Sequence, residues 1–211
     1  MQGFYPVLDM DALTARGIPV LGFAGAVLAV RPALIQFRAK HLGSRETLGW
    51  LRGLRPLATR SGTALFANDR PDLALLGGCD GVHLGQEDLE PSEVRRRWPR
   101  LRLGISTHNP DELEAALAER PDYVAYGPVF QTGSKERTEP TVGLEGLGRA
   151  AERAEAARCT LVAIGGIDLE RAPEIRALGA MGALIAALFP PVYSPAAVTE
   201  RALGLKLALG G

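Results

Sequence analysis

Residues 68–88, N-D-R-P-D-L-A-L-L-G-G-C-D-G-V-H-L-G-Q-E-D, contain one helix-and-strand unit with an acidic residue near each end. The middle of this segment predicts a short apolar helix at 73–76 and a strand at 81–84. If the flanking strands belong to one parallel sheet, Asp69 and Asp88 emerge side by side at its carboxyl edge, where such sheets bind ligands. Two carboxylates and the amide of Asn68, with little positive charge beside them, favour a hard cation, Mg²⁺ rather than Zn²⁺.

The same alternation of helix and strand extends over the whole chain. Strands are predicted at 4–8, 33–38, 63–67, 81–84, 102–106, 123–126, 161–164 and 183–187. Helices are predicted between them and after the last strand, at 11–30, 45–59, 72–76, 92–98, 110–119, 144–157, 169–178 and 196–207. Eight such repeats predict a single α/β domain over residues 1–211, folded as a compact (β/α)₈ TIM barrel. A doubly wound open sheet is the alternative, because counting strands does not establish closure.

Composition restricts the kinds of partner. Lys plus Arg and Asp plus Glu both number 24, so the chain has no net charge that would attract a polyanion or a membrane surface. The start of the chain lacks the pattern of a signal peptide, and the apolar run at 20–30 is too short to span a bilayer. These features predict a cytoplasmic protein whose partners are small molecules, neither nucleic acid nor membrane. The unusually apolar segment 22–30 predicts either an irregular first helix or a face toward a partner subunit. A homo-oligomer is therefore one of the alternatives.

The second strand carries cations on one face. Gln36, Arg38 and Lys40 alternate with Ile35 and Phe37, so the polar set points into the barrel or up at its mouth. Inward-pointing cations are costly unless they are paired. The partner is either an anionic ligand, which the fork of an arginine matches well, or an internal salt bridge to Asp or Glu.

Other strand ends add groups that bind anions. Ser106 ends the fifth strand, Gly166 follows the seventh, and backbone N–H groups follow the eighth. Between the sixth strand and the next helix lies a polar stretch, 131–143, which predicts a mobile loop. That stretch contains a candidate oxyanion cradle of Thr132, Gly133, Ser134 and Lys135. The residues therefore predict two anion sites, one for a metal-bridged diphosphate and one for a monophosphate.

Several ordered motifs resemble those of the thiamine phosphate synthase family. They are Q-F-R-A-K (36–40), N-D-R-P-D-L-A (68–74), D-G-V-H-L-G-Q-E-D-L (80–89), G-I-S-T-H (104–108), Y-G-P-V-F-Q-T-G-S-K (126–135), G-L-E-G-L (143–147) and A-I-G-G-I (163–167). The resemblance covers residues 33–188 and implies a (β/α)₈ barrel transferase. Such an enzyme joins hydroxymethylpyrimidine diphosphate to thiazole phosphate, and thiamine phosphate and diphosphate are its products.

The resemblance also implies roles for individual residues. The pyrimidine diphosphate would be held by Gln36, Phe37, Arg38, Ala39, Lys40, Asn68, Ser106 and Lys135, and Mg²⁺ by Asp69 and Asp88. The thiazole phosphate would be held by Thr132, Gly133, Ser134, Gly166, Ala186 and Ala187. Arg38, Lys135 and Ser106 would be catalytic, since the enzyme must chiefly neutralise negative charge that grows on the departing diphosphate.

One feature separates this chain from the usual family pattern, and a second separates it from a sister group. The family usually has Ile-Ser where this chain has Ala186-Ala187, so a hydroxyl is lost while the backbone N–H groups stay. A sister group resembles thiazole tautomerases, which are isomerases and tend to have His where this chain has Pro128. A third interpretation is a regulatory barrel that binds thiamine precursors without catalysis, and only the Ala186-Ala187 change supports it.

Overall fold

Parallel strands close into a barrel in a computed structural model that describes residues 3–131 and 140–211. Within these residues the strands follow one another around the barrel in chain order, and β1 pairs with β8. Their bounds are β1 Phe4–Asp9, β2 Leu34–Arg38, β3 Ala64–Asn68, β4 Gly81–Leu84, β5 Arg102–Thr107, β6 Tyr123–Tyr126, β7 Thr160–Ile164 and β8 Met181–Leu184. The predicted TIM barrel is confirmed, and closure excludes the open sheet.

Helices cover the outside of the barrel. Their bounds are α1 Met10–Ala15, α2 Val20–Leu28, α3 Ser44–Ser61, α4 Pro71–Leu76, α5 Pro91–Arg97, α6 Pro110–Ala118, α7 Gly143–Ala156, α8 Ala172–Ala177 and α9 Pro195–Ala208. Four of them begin on a proline, whose fixed φ suits the first helical position. At α6 the Asn109 side chain caps the helix, since it accepts the N–H of Glu112 at 2.9 Å. None of the helices in the described ranges is long and apolar enough to cross a membrane.

Alternation along each strand divides the apolar residues into two clusters. The larger cluster fills the space between barrel and helices and includes Phe37, Leu65 and Val124. The smaller one fills the barrel interior and is centred on Tyr5, Phe66, Tyr123 and Met181. Inward side chains therefore form a packed floor, and the polar residues nearer the carboxyl ends of the strands stand above it.

The segment after β1 differs from the single loose helix predicted at 11–30. It forms two helices, α1 and α2, separated by a turn in which Gly17 has a φ of +61°. The apolar side of α2 is buried within the chain, against α3 and α9, and Phe23 stacks on Phe189 with ring centroids 5.1 Å apart. The irregular first helix is confirmed, and the apolar composition of α2 is explained by packing on both of its sides.

The end of β8 also differs from the prediction. The strand was expected at 183–187, but it ends at Leu184, and a single 3₁₀ turn follows at Ala186–Leu188. An apolar run can continue a strand or begin a tight helical turn, and periodicity does not distinguish the two over so few residues. Ala186 and Ala187 consequently offer first-turn N–H groups, which have no carbonyl partner within the turn.

Candidate active site

A pocket opens at the carboxyl end of the barrel, as the strand-end residues predict. The predicted site residues that line it are Gln36, Arg38, Lys40, Asn68, Asp69 and Ser106. They come from β2, β3 and β5 and the turn after β3, so closure of the barrel brings together groups up to 70 positions apart in the chain. The floor of the pocket is apolar, with Val7, Ala125 and Ala183 among its lining residues.

Two cations at the carboxyl end of β2, Arg38 on the strand and Lys40 two residues after it, are paired with carboxylates. Arg38 Nη1 lies 2.5 Å from Asp9 Oδ2, and Lys40 Nζ lies 2.5 Å from Asp69 Oδ2. Asp9 is buried at the end of β1, where it also accepts the N–H of Ala12 at 2.9 Å as the cap of α1. Sequence reasoning missed Asp9, although it carries the same signal as Asn68, a polar residue directly after an apolar strand.

Two carboxylates meet beside Lys40. Asp69 has a φ of +61°, a left-handed conformation that aspartate tolerates better than most residues and that recurs at functional sites. Asp88 Oδ2 accepts the N–H of Gly85 at 2.6 Å. Burial, and after it the neighbouring Asp69 carboxylate, raises the pKa of Asp88 to about 6. Two close carboxylates that resist ionising together form a site at which a cation is favoured.

The charge balance at the mouth leads to the same conclusion. Within the described residues Arg38 and Lys40 face three carboxylates, those of Asp9, Asp69 and Asp88. These side chains alone have no positive excess with which to hold a diphosphate. No group of three or more His, Cys, Asp or Glu in the described ranges is suited to a metal. Two carboxylates nevertheless fit Mg²⁺, which commonly takes one or two carboxylates and completes its shell with phosphate oxygens and water.

A chain of hydrogen bonds crosses the barrel interior below Ser106. Ser106 Oγ lies 2.9 Å from His83 Nε2, and His83 Nδ1 lies 3.0 Å from the hydroxyl of Tyr123. That hydroxyl lies 2.6 Å from the hydroxyl of Tyr5, which in turn accepts Gln36 Nε2 at 2.6 Å. His83 is buried, as predicted for a packed strand residue, but it also lines the pocket and supports Ser106. Sequence reasoning missed this second role.

Two of the residues predicted to bind the pyrimidine diphosphate face away from the pocket. Phe37 is buried among the residues between barrel and helices, and Ala39 packs against the same cluster. Their alternation with Gln36 and Arg38 causes this placement. Neither residue is among those that line the pocket in the described part of the chain.

The predicted monophosphate site lies at the ends of β7 and β8. Gly165 and Gly166 have φ values of +103° and +65°, and a Cβ at Gly166 would lie 2.7 Å from the carbonyl oxygen of Gln131. This turn therefore requires glycine, both for its conformation and for its close approach to the β6–α7 connection. Thr132, Gly133, Ser134 and Lys135, together with most of the loop predicted to be mobile, lie outside the described residues.

Comparisons with known proteins agree on one family for this chain. The family model described as "Thiamine monophosphate synthase" matches residues 4–188. The chain is 38% identical to a thiamine-phosphate synthase from Chlorobium phaeovibrioides, with 92% of this chain and 95% of that protein covered. It is 36% identical to the thiamine-phosphate synthase of Klebsiella pneumoniae, with 96% and 91% covered.

A solved structure supports the same assignment. The fold matches a thiamine phosphate pyrophosphorylase from Pyrococcus furiosus with a TM-score of 0.84 and 29% identity, over 99% of this chain and 98% of that one. A hydroxyoxoglutarate aldolase also matches, with a TM-score of 0.71 and 21% identity, a likeness that shows the barrel fold alone.

Proposed function

We propose that this chain, which belongs to the thiamine monophosphate synthase family, joins hydroxymethylpyrimidine diphosphate to thiazole phosphate. Diphosphate leaves and thiamine phosphate forms, so the enzyme is a transferase. The observation that carries the proposal is the meeting of Arg38 and Lys40 with Asp69 and Asp88 at one end of the barrel. Paired cations and carboxylates at a pocket mouth suit a diphosphate that is bound together with a metal.

The residue types suit a dissociative substitution. Departure of diphosphate from the electron-rich pyrimidine methylene leaves a carbocation, which the thiazole nitrogen captures. The protein must therefore stabilise negative charge on the leaving group, and no covalent nucleophile is needed. Arg38 is already oriented by Asp9, so its guanidinium needs little reorganisation as that charge grows. Lys135 is predicted to act on the same leaving group, and the pocket holds the two substrates in line for attack.

Asp69 and Asp88 are the residues that would hold Mg²⁺. When bound, the ion supplies positive charge to the diphosphate oxygens and improves the leaving group. Lys40, released from Asp69 by the competing cation, would then be available to the diphosphate. The raised pKa of Asp88 supports this arrangement, because a carboxylate that is costly to ionise alone gains most from a nearby cation.

The thiazole phosphate would lie against the β7 and β8 ends. Gly166 and the backbone of Ala186 and Ala187 would provide N–H groups, and Thr132, Gly133 and Ser134 are predicted to add hydroxyl and backbone donors. Because serine is replaced by Ala187, the phosphate keeps its backbone donors and loses one hydroxyl. This chain is therefore expected to depend more on its glycine turn than a relative that keeps the serine.

Replacement of Arg171 by alanine is expected to raise the KM for thiazole phosphate by about 3- to 10-fold, the loss typical of one hydrogen bond. Arg171 Nη1 donates to the carbonyl of Gly166 at 2.7 Å, and its guanidinium lies 4.7 Å from the ring centroid of Phe130. It therefore ties the glycine turn to the β6–α7 connection. Steady-state kinetics with each substrate varied would measure the change, and the KM for the pyrimidine substrate should stay constant.

The matched control for this prediction is Arg176→Ala near the end of α8, the helix that Arg171 directly precedes. Arg176 lies against Gly210, at the opposite end of the barrel from the pocket. Equal KM changes in the two variants would show that loss of an arginine at either end of α8, rather than loss of the Gly166 contact, causes the effect.

One sequence position argues against the tautomerase alternative. A tautomerase moves a proton, and its sister group tends to have histidine where this chain has Pro128, whose ring carries no titratable group. The full set of Arg38, Lys40, Asp69 and Asp88 serves a diphosphate and a metal, which a tautomerase does not need. A purely regulatory barrel would be expected to lack catalytic groups. This chain keeps the proposed ones, Arg38, Ser106 and Lys135.

An assay with both phosphorylated precursors tests the proposal. Thiamine phosphate and diphosphate are expected in equal amounts with Mg²⁺, and neither with EDTA. A parallel reaction with the thiazole tautomer and no pyrimidine diphosphate tests for an isomerase. Confirmed binding of both precursors without thiamine phosphate would refute the synthase.

Because equal numbers of acidic and basic residues favour neither a polyanion nor a membrane partner, we propose that the enzyme acts on small molecules in the cytoplasm.

A further inference from the structure

Protons in the buried chain below Ser106 can be counted. Three hydrogen bonds connect Tyr5, Tyr123, His83 and Ser106 in series. With a neutral histidine each of these four side chains has a single mobile proton, so the chain has one proton more than it has bonds. The surplus proton must point out of one end, either beyond Tyr5 in the interior or beyond Ser106 at the mouth.

The interior end cannot accommodate it. Tyr5 is 1% exposed, and its hydroxyl already accepts Gln36 Nε2 at 2.6 Å, so a proton directed beyond Tyr5 would meet a donor. In the described part of the chain, the polar atoms bonded to this hydroxyl are those of Gln36 and Tyr123. Tyr5 and Ser106 both line the pocket, but Tyr5 is buried whereas Ser106 is half-buried, so only the Ser106 end can direct a proton to a ligand or to water without the cost of a buried hydroxyl that lacks an acceptor.

From this geometry we infer that the chain is polarised from the barrel floor to the mouth. Tyr5 donates to Tyr123, Tyr123 donates to His83 Nδ1, and His83 is held as the tautomer protonated on Nε2, which donates to Ser106. Ser106 is then an obligatory donor toward a ligand in the pocket. Of the two tyrosines only Tyr5 is among the described residues that line the pocket, and it is 1% exposed, so both act as positioning residues for Ser106.

Packing keeps the chain in register. The rings of Tyr5 and Tyr123 meet edge to face with centroids 5.5 Å apart, and His83 lies nearly parallel to Tyr123 at 5.7 Å. Gly104 provides the space, since a Cβ there would lie 2.0 Å from Cζ of Tyr123. The ring orientations are therefore determined by tight contacts, and the hydroxyl of Tyr123 cannot easily find another acceptor.

The polarity serves the proposed function, on which this part of the inference rests. A diphosphate or a pyrimidine ring nitrogen is a hydrogen-bond acceptor, so a serine that must donate is matched to it before binding. With the opposite polarity Ser106 would donate to His83 and could only accept from the ligand. The matched hydroxyl avoids reorganisation when the substrate arrives.

Nitrogen-15 NMR of the histidine side chains tests the inference directly. The chain contains 3 histidines, so the His83 signals can be assigned by their loss in His83→Asn. At about pH 8, above the usual histidine pKa of roughly 6.5, wild-type His83 is expected to carry its proton on Nε2 alone. A Gln36 amide turned end for end would reverse every bond and put the proton on Nδ1, and that result would overturn the inference.

A variant separates positioning from general structure. In Tyr123→Phe, His83 Nδ1 loses its donor, so a mixture of tautomers is expected, with kcat lower by about 3- to 10-fold and a smaller change in KM. Tyr193→Phe removes a phenol hydroxyl outside the barrel interior and should change neither the His83 tautomer nor kcat. His83 fully protonated on Nε2 in Tyr123→Phe would show that the chain does not set the tautomer. The wild-type spectrum needs no catalysis, so it decides the inference even if no thiamine phosphate forms.

Discussion

Replacement of Arg38 by glutamine is expected to lower kcat by about 10²- to 10³-fold, the usual cost of removing a preorganised charge-stabilising group. The Arg38 side chain is 20% exposed and lines the pocket, and its guanidinium lies 2.5 Å from the Asp9 carboxylate. Its loss removes the positive charge that would face the departing diphosphate. Single-turnover measurement of diphosphate release, with both substrates saturating, isolates this effect from binding.

Arg38 is also part of a buried ion pair, so its loss will lower stability as well. Asp9 is 5% exposed and would be left without its cationic partner, although the N–H of Ala12 remains. The matched control is Arg55→Gln. Arg55 pairs with Asp80 at the same 2.5 Å, but near the amino-terminal end of the barrel. Arg55→Gln is expected to lower the Tm and to leave kcat unchanged. Comparable losses of kcat in the two variants would assign Arg38 a structural role only.

The Arg38–Asp9 pair bears on two sequence-based interpretations. An anionic ligand and an internal salt bridge were both open for Arg38 and Lys40, and both cations form salt bridges in this structure. The two interpretations are compatible, because an ion pair at a pocket mouth can exchange one partner for a ligand. Local sequence gives the face on which Arg38 lies. It does not give the partner, which comes from a different strand.

Local patterns predicted the elements well where the pattern was unambiguous. The strands Gly81–Leu84 and Tyr123–Tyr126 were predicted with their observed bounds, because turn residues and apolar alternation coincide there. The segment after β1 was not, although Gly17 and Pro19 stand at the break between α1 and α2 and are residues that commonly end and begin helices. The end of β8 was mispredicted because a short apolar run does not distinguish a strand from a tight helical turn.

Contacts across the barrel interior could not be predicted from pattern. Tyr5 and Tyr123 are 118 positions apart, and their hydroxyls meet only because the sheet closes. The same holds for His83 and Ser106, on adjacent strands whose register sets the 2.9 Å contact. The site residues found from sequence were those at strand ends, where one topological rule applies to every strand. Residues that support them from within the barrel obey no such rule.

Replacement of Asp88 by asparagine is expected to abolish the response to Mg²⁺, to lower turnover by about 10²-fold or more, and yet to stabilise the metal-free protein. The asparagine oxygen can still accept the N–H of Gly85, so the local turn is kept. What is lost is a charge beside Asp69, and with it one of the two carboxylates proposed to hold the cation. Asp69→Asn should give the same loss of turnover.

The stability effect follows from the sign of the pKa shift. The pKa of Asp88 is raised to about 6 in the folded protein, so the folded state binds more protons than the unfolded state between about pH 4 and pH 6. Asp88 therefore contributes a loss of stability as the pH rises through this window, and Asp88→Asn lacks that contribution. At pH 7 to 8 without metal, the variant should melt higher by roughly 2–4 °C, the shift that about 1 kcal/mol gives in a domain of this size.

Adding Mg²⁺ should reverse the order of stability. A cation that binds only the folded state raises the Tm of the wild type by mass action and leaves that of Asp88→Asn unchanged. Asp72→Asn is the matched control on the same side of the barrel. Asp72 lies 2.6 Å from Arg70, and the hydrogen bond from Arg70 lowers the pKa of Asp72, so removing its charge should slightly lower the Tm and spare the Mg²⁺ response. If the wild-type Tm does not respond to millimolar Mg²⁺ with diphosphate present, then the two carboxylates hold Lys40 in place and no metal.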